Sequence, residues 1–231
     1  MSRMVNVVRM QLVNRQTFVW LPLIVLGGAI LVTIVIFGIL KSVGVDDVMF
    51  AGAAQAPLWY FFVIGIRALT STFPFSQAMS VTRRDFYAGT LLTAALASVV
   101  VSVVFVLGGF IERMSDGWGL NGFLFYLPAL WTDGPVGAGF FFWSLALVMF
   151  VAGFGWGLVH KRWGSMVLTG AICGVAIALL GLVWIITRQQ AWGTLVTWFS
   201  GLGPVGVSGW LLIIAAALAL LSYGTLRRTV A

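Results

Sequence analysis

The stretch SQAMSVTRRDFYAGT, residues 76–90, decides how this chain reads. It is short, polar and basic, and long apolar segments flank it on both sides. Thr82 and Asp85 form a T-x-x-D capping box ahead of an apolar run, which predicts a helix beginning at Arg83. Residues 75–81 then read as a separate short helix or turn lying before it. A connection between two membrane spans needs only a simple turn, so the extra piece suggests a surface on which something docks. A basic loop resting on phospholipid is the alternative reading of the same residues.

Working outward, the chain is 61% apolar and 8% charged, against roughly 25% charged in a soluble domain. A soluble fold of this size could not hide so much apolar surface in one core. The expected class is an all-α polytopic membrane protein, with one transmembrane domain over residues 1–231. Apolar runs near the length needed to cross about 30 Å of hydrocarbon predict six transmembrane helices, at 21–40, 48–75, 87–111, 138–159, 163–187 and 207–226. The second run is interrupted by Pro57, Arg67 and Pro74. Residues 112–137 and 188–209, with Trp118, Trp131, Trp192 and Trp198, read as interfacial segments. Over residues 1–18, Met4, Val5, Val8 and Leu12 share one helical side and Arg3, Asn6, Arg9 and Gln16 lie largely opposite. That pattern predicts an N-terminal amphipathic elbow helix on the membrane surface, with a plain basic leader as the alternative.

Six spans put both termini on one side. With them fall Arg3, Arg9, Arg15, Arg83, Arg84, Lys161, Arg162, Arg227 and Arg228, while Lys41, Arg113, Arg188 and five of the six acidic residues fall on the other. The positive-inside rule therefore predicts cytoplasmic termini and a cytoplasmic 76–90 segment. The formal charge of +7 is dispersed at span ends, which suits topology and anionic lipid rather than nucleic acid.

Enzyme chemistry is poorly supplied. His160 is the one histidine and sits at a span end; Cys173 is the one cysteine and sits inside an apolar run. Together they make neither a disulfide framework nor a usual zinc site. No paired carboxylates lie inside a span. Residues 201–206, GLGPVG, fit GxGxxG but follow no strand, and no Walker A pattern occurs. Catalytic residues, metal ligands and a cofactor of the chain's own are therefore not expected. Arg67 would cost about 2.5–3.5 kcal/mol at the centre of a span, so it should face protein or a water-filled translocation path. Alternatively the span is 48–66 and Arg67 snorkels at the inner interface. Gly153-x-x-x-Gly157 and the series Gly170, Gly174, Ala178 and Gly181 form small-residue faces that let helices approach closely, within one subunit or between two.

The pattern FPFSQAMSVTRRDFYAGT, residues 73–90, resembles the intracellular segment between spans two and three of type-2 ABC exporter permeases. In that family a Gly/Ser-x-Thr/Ser-Arg-Arg/Lys-aromatic core leads to Gly-Thr at the start of span three, which Ser80–Thr90 resembles with Asp85 standing between Arg84 and Phe86. Ser80 stands where glycine is common. The wider layout, a basic elbow, six spans and an interfacial segment before span six, is similar to the family over the whole chain. The resemblance implies a permease subunit that exports a hydrophobic or amphipathic substrate across a cell membrane, a bacterial plasma membrane being the expected one. It implies two copies of a separate cytosolic ATPase subunit carrying ATP and Mg, and a second permease subunit, identical or homologous. By position, Ser76, Gln77, Ala78, Met79, Ser80 and Val81 would form the docking helix for the ATPase, flanked by Arg83, Arg84 and Asp85. A non-catalytic membrane scaffold holding a cytosolic partner is the other reading, and a membrane-embedded enzyme a third.

Overall fold

The computed structural model describes residues 20–45 and 47–227. The expected elbow, with Arg3, Arg9 and Arg15, lies outside the described residues, as do Asp46 and Arg228.

The described chain is almost entirely helical. Helix α1, Leu21–Ser42, has Pro22 in its first turn, where the missing N–H costs nothing. It ends where Gly44 takes a left-handed φ of 89°, letting Val45 N–H reach the Leu40 carbonyl and Gly44 N–H the Lys41 carbonyl. A two-residue strand β1, Met49–Phe50, leads into α2, Ala56–Arg67. Without leaving helical geometry the chain then runs through a π turn, Ala68–Thr72, into α3, Phe73–Ala78. Helix α4 is Arg83–Met114. After an irregular stretch containing β2, Gly122–Phe123, come α5, Gly134–Arg188, and α6, Trp192–Arg227.

Five of these helices are long and apolar enough to cross a membrane, counting Ala56–Gln77 as one. The fourth, α5, is broken at Gly164, whose φ of 78° and ψ of −179° no helix permits. Its halves, 134–163 and 165–188, are each at least ~35 Å long at helical rise, enough for a span apiece. Helix α6 breaks likewise at Gly203, φ 62° and ψ 175°. The expected loop at 188–209 is thus mostly helix, because Leu195, Val196, Trp198 and Phe199 form an apolar run that Gly193 and Gly201 do not interrupt.

What holds the bundle together is close backbone approach. A Cβ on Gly65 of α2 would collide with the Phe150 carbonyl of α5, and one on Gly153 would collide with the Phe62 carbonyl. A Cβ on Gly157 would stand 3.3 Å from the Ile66 Cα. The Gly153-x-x-x-Gly157 face therefore packs inside the chain, against α2, resolving a choice the spacing left open. Helix α4 joins through polar contacts from side chain to backbone: Ser102 Oγ donates to the Gly139 carbonyl, Trp143 Nε1 to Ala95 at 3.2 Å and Tyr87 Oη to Ala219 at 2.6 Å. Such bonds matter where no water competes for the carbonyl.

The second half of α5 behaves otherwise. From 165 to 188 every residue is exposed except Leu168 and Ile186, which are half-buried. Cβ atoms built on Gly170, Gly174 and Gly181 meet nothing within 4 Å.

At the far end of α4 from Thr82, the fully buried Glu112 organises the irregular stretch. Its Oε1 accepts from Trp118 Nε1 at 3.0 Å and Leu124 N at 2.9 Å; its Oε2 accepts from Phe125 N and Tyr126 N, both at 2.8 Å. Asp116, Trp118 and Asn121 hold positive φ angles of 47°, 61° and 55° within the loop that wraps the carboxylate. That conformation costs about 1–2 kcal/mol for each such residue.

Two outcomes follow. Glu112→Ala leaves three backbone N–H groups and an indole without an acceptor, and should destabilise the protein by about 3 kcal/mol or more, with Glu112→Gln intermediate because its amide turns a donor toward donors. Hydrogen exchange at Leu124, Phe125 and Tyr126 and the unfolding midpoint in detergent would measure both. Gly153→Leu should cost about 2–3 kcal/mol, whereas Gly170→Leu, facing open space, should change the midpoint little; equal losses would refute the packing described.

Candidate functional site

The turn between α3 and α4 is built from its sequence in two steps. First, α3 stops in a Schellman motif: Val81 N–H donates to the Ser76 carbonyl at 3.1 Å and Ser80 N–H to the Gln77 carbonyl at 3.0 Å. The motif needs a left-handed residue at its C′ position, and Ser80 supplies it with φ 57°. Gln77 Nε2 adds a bond to the Val81 carbonyl at 3.1 Å. Second, Thr82 caps α4: its backbone is extended, its Oγ1 accepts from Asp85 N at 3.1 Å and donates to Asp85 Oδ2 at 2.7 Å. The helix begins at Arg83, where the capping box places it.

Beneath the turn lies a fixed platform. Phe73 and Phe86, both buried, meet edge to face with centroids 5.2 Å apart. Lys161 Nζ sits 4.9 Å from the Phe73 ring centroid, a cation–π contact that brings the His160, Lys161 and Arg162 end of the first half of α5 to the same place. All three of those residues are exposed.

The sequence-derived docking residues separate on this frame. Ser76 is fully buried, its hydroxyl bonded to the Phe73 carbonyl at 2.7 Å, so it builds the turn and cannot touch a partner. Gln77, Val81, Arg83 and Asp85 are half-buried, and Ala78 closes α3. Met79, Ser80 and Arg84 are exposed, Met79 by 60%. Phe75, 58% exposed, joins them on the surface although the sequence reading left it out; a phenylalanine in an apolar run carries no signal that it will end outside. The segment is also not a helix set apart, since α3 continues α2 through the π turn.

Arg67 stands elsewhere. It is exposed, on the last turn of α2, six residues and thus about 9 Å of helical rise from Phe73. Its guanidinium acts electrostatically on the Tyr60 hydroxyl two turns back, close to it but without the geometry of a hydrogen bond. The side chain thus leans toward the α2 N-terminus, the direction helical side chains favour. It does not join the residues of the turn.

The GLGPVG run binds its own carboxylate. Asp133 Oδ2 accepts from Val205 N at 3.2 Å, capping the helix that restarts after Gly203. Cys173 is exposed on the outlying half of α5. No family model, no curated protein and no solved structure matches this chain.

Replacing Ser80 with Gly removes the left-handed penalty and should raise stability by about 1 kcal/mol; Thr82→Ala should lower it by a similar amount, about 1 kcal/mol. Hydrogen exchange at Val81 and Phe86 reads both changes locally, and opposite signs are the expected result.

Proposed function

We propose that the chain is the permease subunit of an ABC exporter for a hydrophobic or amphipathic substrate, worked by separate ATPase subunits that dock on the turn at 79–84. The observation that carries this is the construction of the turn. A Schellman stop and a capping box back to back hold Phe75, Met79 and Arg84 exposed over a buried Phe73–Phe86 pair. Connecting two spans requires none of this. An exposed apolar pair beside a cation suits a protein partner, in which the apolar groups lie buried and the arginine pairs at the rim.

In this reading the membrane contains six spans, with both halves of α5 crossing and the termini cytoplasmic. Lys161 and Arg162 then lie on the cytoplasmic side with the turn, as the positive-inside rule asks. Nucleotide binding and hydrolysis, with ATP and Mg, belong to the partner. Differential contacts of the partner with the turn in its two states would shift the membrane helices between two arrangements. A second permease subunit, identical or homologous, would cover the exposed half of α5, whose glycines leave room for a close helix. Arg67 and Tyr60 then offer a polar spot on a path otherwise apolar.

Mild-detergent purification of the tagged chain from native membranes, with mass spectrometry of stoichiometric partners, tests the proposal. An ATPase should co-purify with the native chain and be lost from a Met79→Glu, Arg84→Glu variant that elutes and melts like the native protein. A partner without ATPase activity would favour a scaffold, and the chain alone would remove the transporter reading.

A further inference from the structure

Between α2, α4, α5 and the loop held by Glu112 lies a cavity of about 240 Å³. Leu58, Phe105, Leu124 and Phe142 wall its interior, each no more than 5% exposed. Its mouth is marked by Gln55, exposed, and Trp59, 61% exposed; among the described residues these two carry the only polar side-chain groups of the lining. We propose that this cavity holds one alkyl chain of a phospholipid, drawn from the leaflet at the Glu112 end of the bundle, with the lipid's ester region at Gln55 and Trp59. The proposal rests on the membrane-spanning reading of the helices and is independent of any ATPase partner.

Three observations point to that occupant. The space is larger than the roughly 150 Å³ of an apolar cavity that stays dry and admits benzene, so it is too large to be an ordinary packing defect. Water is a poor filler, because a buried water needs two to four polar partners and the interior walls offer hydrocarbon side chains and, at Met149, a weakly accepting thioether. The same volume also falls short of a single turn of a peptide helix, about 10 Å across and 5.4 Å in pitch, but accepts a linear chain entering end-on. The roof is preformed: Leu124 is held through its own N–H on the Glu112 carboxylate, and Phe125 meets Phe105 edge to face at 5.2 Å. A chain leaving bulk lipid gains no hydrophobic term. What it gains is the dispersion contact that a void denies its walls.

The test uses the full chain in bilayer nanodiscs containing a phospholipid with a diazirine at mid-chain. Photolabelling should mark peptides covering 124–130 and 141–149 above the stretch 99–103 of α4, where Val99, Val100 and Val103 are exposed and Val101 and Ser102 are buried. Gly52→Trp at the open mouth, where a Cβ meets only the Gln55 side chain at 3.9 Å, should reduce cavity labelling by about tenfold, the scale of one lost side-chain fit, and leave 99–103 unchanged. Leu145→Trp, filling the interior, should do the same. If Leu145→Trp fails to fold, the mouth variant decides alone. Cavity peptides labelled no more than 99–103, or labelling indifferent to Gly52→Trp, would overturn the proposal. Labelling by a free diazirine fatty acid but not by the phospholipid would overturn the assigned source.

Discussion

The backbone contact between α2 and the first half of α5 is the constraint on which the rest depends. With no Cβ at Gly65 or Gly153, the two helices touch main chain to main chain over Phe62, Ile66, Phe150 and Gly157. Such a contact has no soft side-chain layer that could yield gradually, so the helices move together or separate. The turn at 79–82 continues α2 through α3, and Lys161 of α5 lies on Phe73 of the same platform. A push on the turn is therefore delivered to two helices at once. That is the mechanical property a docking site needs if a cytosolic event is to be felt in the membrane.

The other end of the bundle solves a different problem. A chain leaving a helix at the edge of a bilayer has backbone groups that neither lipid nor regular structure satisfies. Here one carboxylate does the work of a small sheet: Glu112 takes three consecutive backbone N–H groups and an indole. Charge-assisted bonds of this kind are strong enough to offset the left-handed residues at Asp116, Trp118 and Asn121 that bring the loop round.

Much of this was written in the residues. The capping box at Thr82 and Asp85 placed the start of α4, because a cap acts within one turn and needs no tertiary context. Apolar length marked the long helices for a similar reason. The unread parts depend on distant partners. Nothing local shows that Gly153 faces Gly65 while Gly170 faces nothing, since both sit at the same spacing. Glu112 read as one more charge at a span end, because its acceptors' partners lie 6 to 14 residues away in an irregular loop. Ser76 looked available in a polar run and is buried, whereas Phe75, the last residue of an apolar run, is exposed; the π turn at Ala68–Thr72 puts more residues into a turn than an α-helix does and so shifts the face that follows. Residues 79–80 carried a readable clue: a left-handed Ser80 is what a Schellman stop requires where a glycine would otherwise stand.

The claim that matters most is that the turn meets a cytosolic ATPase, and the most direct measurement is a zero-distance contact. A photoreactive phenylalanine analogue at Met79, activated in intact cells, captures whatever lies against that side chain. One dominant adduct, to a nucleotide-binding ATPase, is the expected result, with the same analogue at Ile177 on the exposed half of α5 giving none to that protein. Adducts at Met79 formed only with lipid, or with a protein lacking ATPase activity, would contradict it.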